Sequence, residues 1–244
     1  MTVSIVVPVR NERDTVMELL ERLRAVDCGM PKQIIVVDGA STDGTREALD
    51  TLRDEPDVVL IFEDAARGKG RAVRTGFDRA DGEIVMIQDA DLELDPAQIP
   101  SLLAPIVSDE SAVVYGSRFK GRGRGPAPFV GYFGNKGLTW AANLLYGRHL
   151  TDILTCYKVM RAAVLDDLVL RCDGFDIDAE ITCALLRRRH RILEVPVTFT
   201  PRGVDEGKKL TPRVGWSVLR TILRVRWSGV YGKRRPAPAR RRHA

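Results

Sequence analysis

Cysteine and histidine are scarce: four cysteines and three histidines in 244 residues. Cys28, Cys156, Cys172 and Cys183 form no CxxC pair and have no histidine cluster beside them. That argues against a zinc site and against a disulfide framework, and leaves reduced cytosolic thiols as the expectation. His149 and His190 have no partner motif, so no Ser-His-Asp arrangement can be built on them. Neither GxxxxGK[ST] nor a GxGxxG after a strand occurs, which removes the common glycine-rich phosphate loops. No apolar run approaches the roughly 18 residues of a membrane-spanning helix. The start, Met1 to Pro8, lacks a basic n-region and a cleavage site and reads as a first strand rather than a signal peptide. Aromatics make up only 6% and form no nucleic-acid reader motif, so nucleic acid is not an expected partner.

What is present is an ordinary globular composition, 44% hydrophobic and 29% charged, enough for one large domain. Net charge is +5, which suits anionic partners: phosphorylated substrates or an acidic membrane surface. Short β-branched runs at 3–9, 33–38, 58–62, 84–88, 112–116 and 192–198 alternate with helical patterns at 14–26, 69–80, 138–146 and 178–189. A further helix ends near 53, and 121–131 reads as a loop rich in Gly, Arg and Pro. This alternation predicts an α/β fold with a mostly parallel sheet flanked by helices. Ligands of such sheets bind beyond the carboxyl ends of the strands. Asp38, Asp89 and Asp91 all fall at such ends.

Asp89 and Asp91 are two apart on an extended chain and point to one side. Converging carboxylates repel unless a cation lies between them. Magnesium or manganese takes one or two carboxylates plus substrate phosphates, so a divalent cofactor is expected here. Pro8-Val9-Arg10-Asn11-Glu12 leaves the first strand as a polar turn that can face a nucleoside. Asp38 can accept hydrogen bonds from a base or ribose. Gly68-Lys69-Gly70 opens a helix, where close backbone approach and the helix N-terminus favour phosphate.

These segments resemble family-2 glycosyltransferases, in the same order along the chain. The resemblance is carried by Pro8–Glu12, Val36-Val37-Asp38-Gly39-Ala40-Ser41-Thr42-Asp43-Gly44-Thr45, Gly68–Gly70 and Gln88–Glu93. The nearest branch is similar to dolichyl- or polyprenyl-phosphate sugar synthases, through Gly116–Phe119, Asp152-Ile153-Leu154-Thr155-Cys156-Tyr157-Lys158, Phe175–Glu180 and Glu206–Leu210. The resemblance implies a GT-A fold and inverting transfer of a hexose from a UDP- or GDP-sugar to a polyprenyl phosphate. It implies a nucleotide pocket lined by Pro8, Arg10, Glu12, Val37 and Asp38, with Lys69 on the donor. Asp89 and Ala90 would contact diphosphate and sugar. Asp91 would bind the metal, with Glu93 as second ligand. Arg118, Arg202 and Lys208 or Lys209 would hold phosphates, and Asp178 and Glu180 stand where the family keeps an acidic pair. An ionised acceptor phosphate needs no general base; a hydroxyl acceptor in glycan or secondary-metabolite synthesis would draw on Asp178 or Glu180. The reacting groups expected are thus Asp91, Asp178, Glu180 and Arg118. One departure is clear: the family usually has two adjacent acids where this chain has Asp38-Gly39, so guanosine selectivity is not carried over.

Residues 1–211 read as the transferase domain. In 212–231, Trp216, Leu219, Leu223, Trp227 and Val230 share one helical face flanked by Arg213, Arg220, Arg224 and Arg226. That pattern fits a helix lying in a membrane interface and equally a helix that closes the core. Residues 232–244 are a basic, proline-bearing tail expected to be disordered. The expected location is the cytoplasm, peripheral at the cytosolic membrane face. A nucleic-acid-binding protein using the tail and a nucleotidyltransferase are the rival readings. The second lacks support because Pro8–Glu12 contains no glycine.

Overall fold

The computed structural model describes residues 1–120, 129–201 and 212–232. Arg202, Lys208, Lys209, the segment Glu206–Leu210 and the tail from 233 lie outside them, as does most of the glycine-rich loop.

The strands are β1 (Val3–Val9), β2 (Lys32–Asp38), β3 (Val58–Phe62), β4 (Ile84–Ile87), β5 (Val113–Ser117), β6 (Lys158–Arg161) and β7 (Leu193–Pro196). The helices are α1 (Val16–Ala25), α2 (Thr45–Asp50), α3 (Lys69–Phe77), α4 (Ile99–Val107), α5 (Phe129–Tyr146), α6 (Ala162–Asp166), α7 (Ile177–Arg187) and α8 (Pro212–Trp227). The strands form one sheet in the order β3-β2-β1-β4-β6-β5-β7. Pairings β1–β2, β1–β4, β2–β3 and β5–β7 are parallel; only those of β6 are antiparallel. The mostly parallel sheet expected from the alternation is therefore present.

Both faces of the sheet are covered, which is why its strands are apolar throughout rather than alternating. Val6, Ile35, Val37, Val85 and Ile87 enter the core beneath α3, α5, α7 and α8. Their neighbours Ile5, Val7, Ile34, Val36, Ile84 and Met86 enter the opposite core with α1 and α4. Each fully buried Val or Ile side chain stabilises by about 1.5–3 kcal/mol. The orphan carbonyls at the end of α1 are met by a side chain: Lys32 Nζ donates to the carbonyls of Leu23, Arg24 and Val26 at 2.9, 2.7 and 2.6 Å.

β6 was not foreseen. It has four residues with a charge at each end, too short for a period-2 pattern to show. Its place between β4 and β5 makes it central all the same. α5 begins at Phe129, inside the stretch expected to be a loop; internal glycines cost a helix only about 1 kcal/mol each and do not end it. α8 buries Val218, Ile222 and Val225 in the core shared with α3 and α7, together with Tyr231 just beyond it.

Candidate active site

Connections from β1 run outward to β2 and β3, then return across β1 to β4. The direction reverses between β1 and β4, the point at which open sheets of this kind form a ligand crevice beyond the carboxyl ends of their strands. Arg10, Asn11 and Glu12 follow β1; Gln88, Asp89, Ala90 and Asp91 follow β4. The loops there are tied to one another. Asn11 N donates to Ser41 Oγ and Thr42 N donates to Asn11 Oδ1, both at 2.9 Å. Thr15 Oγ1 donates to the Ala90 carbonyl at 2.8 Å. Asn11, Ala40 and Leu92 hold φ of 54, 59 and 57°, left-handed conformations that each cost of order 1 kcal/mol or more without glycine. All three sit in the loops after β1, β2 and β4.

The loop bearing Asp89 and Asp91 is held from below. The Tyr157 hydroxyl is shared between Gln88 Oε1 at 2.8 Å and the Asp95 carbonyl at 2.9 Å. Gln88 Nε2 donates to the carbonyls of Asp89 and Leu94 at 3.0 and 3.2 Å. Gln88 and Tyr157 are both fully buried, so each lost bond would strand a polar group in the interior.

Four charges meet beside this loop. Lys69 Nζ lies 2.9 Å from the Asp89 carboxylate and 3.1 Å from Asp178 Oδ2. Asp178 Oδ1 lies 3.5 Å from Lys158 Nζ, and Lys158 also donates to the carbonyls of Ile153 and Thr155. Burial works against the Lys69 ammonium, but Asp178 and Asp89 outweigh it and hold its pKa well above the ordinary value. At Lys158 burial prevails over Asp178 and Asp152, and the pKa falls. Burial, then Asp89, push the Cys156 thiol well up, so it lines the site as a neutral group. Lys69 is placed by its flanking glycines. A Cβ on Gly68 or Gly70 would come within 2.4 Å of the carbonyl of Asp173 or Cys172, and Gly70 N donates to Asp173 O at 2.7 Å.

Beyond Asp178 lies a second ionic unit. Arg118 grips Asp152 with Nε at 2.7 Å, Nη2 at 2.9 Å and its backbone N at 3.2 Å, and Asn135 Nδ2 adds a fourth donor at 3.2 Å. Burial opposes both charges; the pairing overcomes it, raising the Arg118 pKa and lowering that of Asp152.

The residues singled out by sequence divide here. Asp89, Lys69 and Asp178 are brought together, with Asp91 two residues on, accepting from Glu93 N at 3.2 Å. Arg10 is exposed beside the crevice, Glu12 is buried, and Ala90 is buried with its carbonyl spent on Thr15. Pro8 lies inside β1 opposite Val37, whose side chain is in the core. Asp38 has no exposure: Ser41 N and Arg46 Nε donate to its carboxylate, the latter at 2.8 Å. Glu180 is likewise spent elsewhere. It accepts from the backbone of Arg171 and Cys172 at 2.8 Å each and from the Tyr231 hydroxyl, with Arg224 at 3.6 Å, so it faces α8. Asp178 lies in the first turn of α7, aimed at the lysines. Asp152, Cys156, Tyr157 and Lys158 had no expected role. The available signal was charge embedded in an apolar run, since Asp and Lys are almost never fully buried unless paired.

No group of three or more metal-ligating side chains gathers among the described residues. Asp89 and Asp91 offer hard oxygens from a single loop, which fits a magnesium or manganese ion whose remaining ligands are water and substrate phosphate.

The model of glycosyl transferase family 2 matches residues 4–169. A dolichol-phosphate mannosyltransferase of Pyrococcus furiosus is 32% identical over 234 residues, covering 94% of this chain and 65% of that protein. An undecaprenyl-phosphate mannosyltransferase of Micrococcus luteus is 30% identical over 245 residues, covering 94% and 98%. Among solved structures, glucosyl-3-phosphoglycerate synthase from Mycobacterium tuberculosis in complex with uridine diphosphate superposes with a TM-score of 0.72 at 20% identity, covering 92% of this chain and 80% of that one. That protein has also been solved with Mn2+ and uridine diphosphate. The shared architecture is the GT-A fold.

Proposed function

The chain belongs to glycosyl transferase family 2, and from that premise we propose that it moves a hexose from a nucleotide-sugar to a polyprenyl phosphate, with inversion, at a membrane surface. The observation that carries this reading is the placement of Asp89-Ala90-Asp91 beyond β4 at the sheet's reversal point, facing Lys69 and Asp178. Support for the acceptor class comes from the relative named for undecaprenyl phosphate, whose length this chain covers almost fully.

In this reading the donor's nucleoside lies over the β1 and β2 loops, near Arg10 and Glu12. Its diphosphate lies beside Lys69, Asp89 and Asp91. A bound magnesium or manganese ion would neutralise charge growing on the departing diphosphate. Arg118 faces the acceptor phosphate. One edge of its guanidinium, Nε and Nη2, is taken by Asp152, which fixes its orientation, and Nη1 has no hydrogen-bond partner among the described residues. An acceptor phosphate arrives ionised, so attack needs no proton removed. That agrees with Asp178, whose oxygens face two ammonium groups, and with Glu180, whose oxygens are spent on the backbone of Arg171 and Cys172 and on the Tyr231 hydroxyl. Neither is presented as a base. Arg202, Lys208 and Lys209 are proposed to close over the phosphates, and Glu93 to assist Asp91.

No described helix is long and apolar enough to cross a membrane. The proposed contact with lipid is lateral, through α5 and α8 at a cytosolic face. Trp140, Trp216 and Trp227 are 67, 73 and 67% exposed, with Phe133, Leu144 and Leu223 among them. α5 and α8 are pinned together by Tyr146 Oη donating to the Ile222 carbonyl at 3.0 Å and Arg226 Nε to the Leu145 carbonyl at 3.1 Å. Tryptophan with basic residues on such a face suits an anionic bilayer interface.

The test is transfer from UDP- and GDP-sugars, with Mn2+ or Mg2+, to a short polyprenyl phosphate and to matched hydroxyl acceptors. Sugar should appear on the lipid phosphate. Asp91→Ala should lower turnover by at least about a thousandfold, comparable to losing a principal electrostatic stabiliser, while the thermal midpoint stays near wild type. Transfer to hydroxyl acceptors alone would replace this acceptor class with a soluble one.

A further inference from the structure

Lys69 stands at the first position of α3, where the helix dipole disfavours a cation. Its backbone is clamped by the bonds from Gly70 and Arg71 N to the Asp173 carbonyl at 2.7 and 3.2 Å, so the side chain cannot simply move to a better place. The ammonium instead reaches across the crevice and joins two carboxylates from different elements, Asp89 after β4 and Asp178 on α7. Its side chain is 11% exposed and that of Asp178 7%. Asp178 Oδ1 is buried without a hydrogen bond among the described residues, with Lys158 Nζ 3.5 Å away. The Asp178 carboxylate therefore keeps one buried oxygen that no described hydrogen-bond donor meets.

We propose that Lys69 is the built-in counter-ion of the site. While the donor is absent its ammonium occupies the place of charge that a divalent cation would otherwise claim, and it keeps α7 drawn onto the Asp89 loop. A divalent cation arriving alone must compete with Lys69 for Asp89 and binds weakly. A donor diphosphate offers Lys69 a new anionic partner and releases Asp89. Cation and donor then assist each other's binding by the same factor, as linkage requires. This rests on the reading that Asp89-Ala90-Asp91 receives a divalent cation. Lys69 acts through those carboxylates as a positioning residue.

The experiment measures Mn2+ binding by the paramagnetic resonance of free Mn2+, with and without UDP, for wild type, Lys69→Met and Asp178→Asn. Wild type should bind Mn2+ weakly alone and much more tightly with UDP. Lys69→Met should bind Mn2+ alone on the order of tenfold or more tighter than wild type, because a positive charge a few ångströms away has gone. The gain conferred by UDP should shrink. Asp178→Asn leaves Lys69 to Asp89 alone and should weaken Mn2+ binding below wild type. If Lys69→Met folds only when Mn2+ is present, the proposal is supported; if it never folds, Asp178→Asn decides. Mn2+ binding by Lys69→Met no tighter than wild type overturns the proposal, as does Asp178→Asn binding it equally or more tightly. Failure of wild type to bind Mn2+ even with UDP sinks the metal reading, whereas binding with UDP but no gain in Lys69→Met sinks the role of Lys69 alone.

Discussion

Asp152 keeps its charge with no solvent exposure because Arg118 meets both of its oxygens and Asn135 meets one again. Removing one member of a buried pair leaves the other charge uncompensated, which costs about 3–5 kcal/mol. Asp152→Asn should therefore lower stability by about that amount, measured by urea unfolding at neutral pH. The pH dependence has a definite sign. The folded-state pKa of Asp152 is depressed below 3.8, so its contribution is complete above the unfolded value and fades as pH falls through the folded one. The acid limb of stability below about pH 4 should flatten in Asp152→Asn; an unchanged limb would place the acid sensitivity elsewhere. Asp89 and Asp91 were legible as strand-end carboxylates because a spacing of two after an apolar run is a local property. The occupation of Asp38 by Arg46, eight residues on, and of Glu180 by Tyr231, 51 residues on, was not legible, since a sequence does not say who arrives at a carboxylate.

At the level of elements, α8 shows why one helical pattern supported two readings. Its inner face, Val218, Thr221, Ile222 and Val225, closes the core; its outer face carries Trp216, Leu223 and Trp227. The apolar stripe recognised in the sequence is the outer one, because tryptophans mark it more visibly than the smaller residues that are buried. The core-closing role is seen directly, the lipid contact is the proposed one, and α5 adds the exposed Phe133, Trp140 and Leu144. Replacing Trp140, Trp216 and Trp227 together by alanine should reduce partition onto anionic vesicles at least about tenfold, since apolar burial and charge both contribute to interfacial binding. The thermal midpoint should hardly change, as all three side chains are exposed. Co-sedimentation with phosphatidylglycerol vesicles at two salt concentrations measures this. Undiminished sedimentation would move the membrane contact off these helices.

Across the whole molecule, charge is unevenly placed. The last twelve residues carry Lys233, Arg234, Arg235, Arg240, Arg241 and Arg242, more than the net charge of +5. Each cation near an anionic surface attracts it by about 1 kcal/mol, so the proposed part of the tail is in docking rather than chemistry. Deleting residues 233–244 should leave transfer to a water-soluble acceptor analogue within about twofold, while vesicle affinity falls by on the order of tenfold or more. Loss of transfer to the soluble analogue would instead give the tail a part in catalysis.

Local patterning determined the strand–helix alternation, the mostly parallel sheet and the strand-end position of Asp89 and Asp91. Each of these depends on residues near in sequence: β-branched runs, helix starts and a two-residue spacing. Tertiary structure decided what the charges do. Asp89 and Asp178 lie 20 and 109 positions from Lys69, yet each carboxylate comes within 3.1 Å of its ammonium. Asp152 and Lys158 stood in a segment that carries the family resemblance, but only folding shows that Asp152 orients Arg118 and that Lys158 lies beside Asp178. Burial removes the water that would screen such groups, so their partners set their charge state. Which partners those are depends on how β4, β6, α3 and α7 pack.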